Sequence, residues 1–332
     1  MRALTRTWAS WVAALGRREA GTSLACFRMG VGVAALYSLL SVGLAGLLDV
    51  VWVDCSEGGY ACLPPGSGLV AWLGGPTRSV MHGLYGLALA STLAVALGLG
   101  GRVSTFVALQ TYLAVAYANP HVVGGYDLLI TNALWLLVLG NGNATLSLDA
   151  KLRTGRFVSA AQVAAWPRYL AVFQLLVVYT TTGLHKLSAD WLPAGDFAAL
   201  YHVFQDPTWR RFDMRWTASV YPLTQLGTAV TWLFEVGAPV LLLWFYARAT
   251  AERGGRLRRA FAARDLRVGF TALGVCLHVG ILLTLDVGPF SLVALSYYFC
   301  LWGPHELSRP PGLGVVSGTS GSGIRAPAAE RG

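Results

Sequence analysis

Only two of the 25 basic residues in the 332-residue chain are lysines, Lys151 and Lys186. Lys186 lies in the stretch VVYTTTGLHKLSADW, residues 177–191, at the end of an apolar run that carries no charge before it. On a helix, Tyr179, Thr182 and Lys186 stand at i, i+3 and i+7 and share one face. A phenol and a hydroxyl thus form a polar stripe that leads to a primary amine. Such an amine is a base only when uncharged, which requires a low-dielectric site or a neighbouring cation. A solvated one is an anchor that snorkels to the lipid–water interface, with Asp190 and Trp191 anchoring beside it. The residue types leave both readings open. Four further ionisable residues, Arg28, Asp127, Glu235 and His278, also fall within apolar stretches. Each costs several kcal/mol if it faces lipid, so each is expected to face the interior or a polar cavity. For Glu235 and His278, two roles follow: polar contacts between helices, or groups around a substrate.

The elements that position these residues follow from composition. With 55% hydrophobic residues, 12% charged residues and a mean hydropathy of +0.54, the chain reads as a multi-pass membrane protein. Windows of roughly 17 to 25 apolar residues fall at 24–48, 82–100, 103–119, 126–146, 169–187, 224–247, 267–285 and 287–303. The expected fold is an all-α integral membrane protein, a bundle of about eight transmembrane helices with a short external interfacial helix. The third and eighth windows are short, so seven or nine spans stay open. Continuous apolar runs rather than alternating ones argue against a β-barrel.

Lys and Arg are retained on the cytoplasmic side. With the N-terminus inside, cytoplasmic segments hold 19 of them and external segments five: Arg78, Lys186, Arg210, Arg211 and Arg215. Both termini are therefore expected in the cytoplasm, and the net charge of +9 reflects topology and anionic lipid rather than nucleic acid. Residues 1–23 read as an amphipathic cytoplasmic segment with Trp8, Trp11 and Leu15 toward lipid. Residues 24–305 form the transmembrane domain, and 306–332 a disordered cytoplasmic tail rich in Gly, Ser and Pro. The basic loop 247–267 is a solvated topology anchor. Cys55 and Cys62, seven apart in an external loop, are expected to form a disulfide. Cys26, Cys276 and Cys300 fall in apolar helices as packing residues. The aromatic external segment 188–223 is expected to place a short helix along the outer leaflet, capping the bundle. No Walker loop, GxSxG elbow or dinucleotide fingerprint occurs.

The stretch Y-x-x-x-G-L-H-K-L-S-A-D-W-L-P-A-G resembles a segment of the vitamin K-dependent γ-carboxylases and their bacterial relatives, the HTTM (horizontally transferred transmembrane domain) family. RMGVG at 28–32, ANPHVVGGYD at 118–127, GNATLSLDA at 142–150, TWLFEVGAPV at 231–240 and LHVGILLTLDVGPFS at 277–291 agree in order. The likeness runs from about residue 20 to 305, and the Lys-Leu-x-x-Asp-Trp piece is its most specific part. It implies that Lys186 matches the base that deprotonates a hydroquinone so that oxygen can attack it. His121 matches the histidine that assists this lysine, with a packed loop histidine as the bland reading. Tyr179, Thr182, Glu235 and His278 are then candidates to line the site of a reduced naphthoquinone, menaquinol or vitamin K hydroquinone. The eukaryotic carboxylases continue into a large lumenal domain, whereas this sequence ends some thirty residues after its last expected helix. Carboxylation of a protein glutamate is therefore not expected, while the lysine–quinol chemistry stands alone. A similar small bacterial protein matures a secreted sporulation-delaying toxin peptide. The Arg-over-Lys bias and the abundance of Ala and Gly suggest a high-GC bacterium. Three functions thus compete: a quinol- or peptide-modifying enzyme at the outer face of the cytoplasmic membrane; a non-enzymatic maturation or export partner of a secreted peptide or small accessory protein; and a small-solute transporter, disfavoured because no paired broken helices appear.

Overall fold

The computed structural model describes residues 8–307 except 10, 14, 65 and 67. The chain is mostly helical. Its principal helices are α1 (Thr22–Leu44), α2 (Arg78–Leu97), α3 (Gly101–Ala116), α4 (Gly125–Leu139), α5 (Trp166–Leu184), α6 (Tyr221–Gly237), α7 (Pro239–Ala249), α8 (Leu266–Thr284) and α9 (Phe290–Tyr298). Each apolar window coincides with one of these, except 224–247, which breaks into α6 and α7.

Three of these helices, α1, α2 and α8, are long and apolar enough to cross a membrane. The pair α6 and α7, bent by 44°, makes a fourth if counted as one span. The other windows give shorter or more polar helices, for identifiable reasons. Pro239 lacks the N–H that would continue α6 and starts α7 instead. Gly140 and the following Asn-Gly-Asn stop α4 at 15 residues. Helix α5 reaches 19 residues but includes Arg168, Gln174 and Thr180 to Thr182.

Helix α1 is the central element, packed against α2, α4 and α9. The close fit to α2 depends on Gly32, where a Cβ would come within 2.6 Å of the Ala96 backbone. Arg28, fully buried in α1, donates to the carbonyls of Gly142 (3.2 Å), Ala96 (2.8 Å) and Leu146 (2.7 Å) and to that of Val95. The RMGVG and GNATLSLDA motifs thus meet: the second supplies carbonyls that satisfy the charge of the first. Asp149 in turn accepts from the amides of Gly100 and Gly101 and from Asn143. Asp127 caps α4 by accepting from the Gly124 amide and also accepts from Tyr112, so its role is to fix the helix start.

Two features depart from the expected layout. Arg18–Ala20 and Gln162–Ala164 pair as a short antiparallel sheet, β1 and β2, with Glu19 opposite Val163. The segment 188–223 contains several pieces rather than one interfacial helix: 3₁₀ turns at Ala189–Trp191, Pro193–Gly195 and Arg215–Val220, and a helix at Ala199–Gln205. Pro193 and the two residues with positive φ, Asp196 and Phe197, interrupt it. Trp8, Trp11 and Leu15 are exposed. Cys55 and Cys62 are bridged, with Cα atoms 4.6 Å apart. The expected disordered tail lies, from residue 308 on, outside the described residues. Its first residues belong to the helix Pro304–Leu307.

Candidate functional site

The site is built where α5 and α6 meet. Helix α5 ends at Leu184, and His185 and Lys186 close its last turn through bonds to the carbonyls of Thr181 and Gly183. Glu235 stands in the last turn of α6, just before the break at Pro239. Lys186 Nζ forms an ion pair with Glu235 Oε2, and the two side chains are only 18% and 10% exposed. The same ammonium lies 4.4 Å from the centroid of the Trp191 ring. A cation on a ring face and a carboxylate together replace much of the hydration that burial removes.

One turn or more along α5, Tyr179 is buried and at the centre of a second polar group. Its hydroxyl is 2.6 Å from His278 Nε2 on α8 and 2.7 Å from the Tyr298 hydroxyl on α9. His278 is fully buried, and its other ring nitrogen, Nδ1, has no hydrogen-bond partner among the described residues. Rings of Phe234 and Phe270 pack edge-on to Tyr179, at 5.1 and 5.9 Å between centroids. Thr182 donates back to its own helix, to the carbonyls of Val178 and Tyr179.

Tyr179, Thr182, Lys186, Glu235 and His278 line one cavity of about 310 Å³. Its remaining wall is chiefly aliphatic, with Leu175, Val178, Leu277 and Ile281 from α5 and α8 and Phe290 from the start of α9. Trp191, Leu200 and Val203 from the segment 188–223 also line it. The structure therefore unites five of the six residues singled out from sequence. The sixth, His121, lies in the exposed turn after α3, where its amide donates to Asn119 Oδ1 at 3.0 Å. It does not line the cavity. Tyr298 is the site residue that sequence reading missed. Neither its neutral phenol nor its place in the apolar stretch SYYFC marks it, and only the approach of α9 to α5 gives it a partner.

The cavity can bind a small, mostly apolar molecule and offer it a cation and a carboxylate, on a wall that also holds His278. At roughly 300 Å³ it stands near the lower end of small-molecule sites. The family model described as HTTM domain matches residues 17–253, which include Tyr179, Lys186 and Glu235 but stop short of His278 and Tyr298. No curated protein and no solved structure matches the chain.

Proposed function

The chain belongs to the HTTM family, and from that premise we propose a bacterial cytoplasmic-membrane protein that binds a quinol in the Lys186–Glu235 cavity. The eight helical windows and the uneven distribution of Lys and Arg support about eight passes with both termini inside.

One observation carries the ligand reading: a mostly apolar cavity whose wall holds the Lys186–Glu235 pair together with buried His278, whose Nδ1 has no hydrogen-bond partner among the described residues. An unsatisfied buried polar atom costs about 1–3 kcal/mol, and an oxygen on a flat apolar ring would relieve it. A reduced naphthoquinone has that character, with an oxygen at each end of the ring; bound here, it would supply a weakly acidic hydroxyl.

The residues divide the work as follows. The base role requires the proton shared by Lys186 Nζ and Glu235 Oε2 to rest on Glu235, a neutral amine–acid pair that avoids burying two charges. With it on Glu235, Lys186 is the uncharged base that accepts a proton. Once protonated, its ammonium stabilises the anion left behind. Trp191, Leu200 and Val203 limit water at the same wall. Tyr298, Tyr179 and His278 form a hydrogen-bonded row that can pass a proton away from the cavity or hold one ready. A secreted peptide is the target this reading offers for the chemistry; His121 has no direct part in it.

A second reading, a non-enzymatic maturation or export partner of a secreted toxin-like peptide, is favoured by the ion pair itself. Glu235 and Trp191 already satisfy Lys186, so the pair also serves as a simple fastener between α5 and α6. Extraction of the protein purified from its native membrane, followed by chromatography of the organic phase, separates the two. The first reading expects a quinone bound to wild-type protein and lost in His278→Ala. A folded wild-type protein free of quinone supports the second.

A further inference from the structure

We infer a second site, for an anionic phospholipid, at the opposite end of α5 from Lys186. A cavity of about 550 Å³ lies there among the start of α5, the end of α7, the start of α8 and the residues after α9. Its charged rim carries Arg17, Arg168, Arg248 and Arg267, with His305 and Glu306.

The four guanidiniums are not equivalent. Arg168 is held by both oxygens of Glu19, at 2.6 and 2.8 Å, and by the Cys300 carbonyl. Arg267 is held by Asp265, Glu306 and the Leu301 carbonyl. These two account for the three carboxylates nearby. Arg248 reaches an acceptor only at 3.9 Å, on Asp265, and its side chain is 53% exposed. The exposed Arg17 side chain has no acceptor among the described residues. Two guanidiniums with free donors on one rim suit a phosphate diester, which presents two unprotonated oxygens.

The apolar remainder of the cavity favours a lipid over a free phosphate. Tyr169, Val172 and Phe173 stand at i, i+3 and i+4 on α5, and Leu242, Phe245 and Ala249 at i, i+3 and i+7 on α7, so each set shares one helix face. Both stripes begin at the arginine rim and run along the helices toward the middle of the bundle, and Phe173 is half exposed. A headgroup at the rim would lay its acyl chain along this wall. The assignment needs the bundle to lie in a membrane; it does not depend on the quinol reading. Basic pockets between helices at the cytoplasmic face are the kind that take anionic headgroups.

Native mass spectrometry of delipidated protein, titrated with phosphatidylglycerol or with phosphatidylcholine of the same chains, tests the site. Phosphatidylglycerol should form the one-lipid adduct at about tenfold lower concentration, given the attraction of each arginine for an anionic headgroup. In Arg17→Gln/Arg248→Gln the two lipids should bind alike. Raising salt should shrink the preference in the unmodified protein, a readout that does not depend on the variant folding. Equal binding of the two lipids by the unmodified protein, a preference indifferent to salt, or a preference kept by a folded double variant would overturn the proposal. So would inorganic phosphate competing as well as phosphatidylglycerol, since the site would then be one for a free anion.

Discussion

Gly183 on α5 lies so close to Glu235 on α6 that a Cβ at 183 would stand 2.9 Å from the Glu235 Cβ and 2.9 Å from the Val236 amide nitrogen. The absence of a side chain at this position allows the two helices to approach where Lys186 and Glu235 pair. The glycine of the Gly-x-x-Lys-Leu pattern is thereby a positioning element for the lysine three residues on.

Gly183→Ala should force α5 and α6 apart and cost about 1–3 kcal/mol, as overpacking does. The control is Gly83→Ala on α2, where nothing stands within 4 Å of the added carbon. There the gain in helix propensity should leave stability unchanged or raised by about 0.5–1 kcal/mol. Thermal unfolding in one detergent gives both values, and equal effects of the two changes would show that the close approach does not hold.

Tyr179→Phe should cost more than Tyr298→Phe. The first removes the hydroxyl that bonds both His278 and Tyr298 and leaves the buried Nε2 of His278 without its partner, at about 1–3 kcal/mol. The second removes one bond and leaves the Tyr179–His278 contact in place. The reverse order in unfolding measurements would mean that His278 takes its main support elsewhere.

How much of this was legible in the chain depends on the range of the interaction. Helix positions follow from runs of apolar residues, a local property, and all eight windows hold helix. The Tyr179, Thr182 and Lys186 stripe is also local and does face one cavity. Glu235 and His278 were recognisable as costly charges or polar groups in apolar surroundings, but their partners come from 49 and 99 positions away, which no periodicity records. His121 stands out by likeness alone, and the structure places it apart from the cavity. The Arg18–Ala20 and Gln162–Ala164 pairing was not legible either, because three-residue strands carry too little pattern to read.

In the loop at 54–63, Cys55 and Cys62 should resist thiol reagents until reductant is added. Asp54 organises the same loop: its carboxyl is held below the usual carboxylate range by the Ser56 hydroxyl and by the amides of Ser56 and Leu63. A lowered value means that the folded loop prefers the ionised form. Its support is therefore present at neutral pH and fades as pH falls through that lowered value. Amide shifts of Ser56 and Leu63 should titrate together in acid, and Asp54→Asn should abolish the transition.

Reporter fusions test the orientation. Alkaline phosphatase fused after Gly58 or Asp206 should be active outside, and a cytoplasmic reporter should work after Ala150 or Gly255. A cytoplasmic signal at Asp206 would put Lys186 on the wrong side for action on a secreted peptide.

The decisive comparison is at the ion pair. Removing one partner leaves the other buried and unmatched, so Lys186→Met or Glu235→Gln should each cost about 3 kcal/mol, with much of the loss recovered in the double variant. This cycle measures the fastener. Lys186→Arg measures the base: guanidinium keeps the charge, reaches Glu235 and snorkels as lysine does, yet cannot surrender its proton. Lys186→Arg should therefore express and unfold like wild type and still retain bound quinone, while the biological activity disappears. If activity survives in Lys186→Arg, the amine is not a base, and the pair joins α5 to α6 without taking part in chemistry.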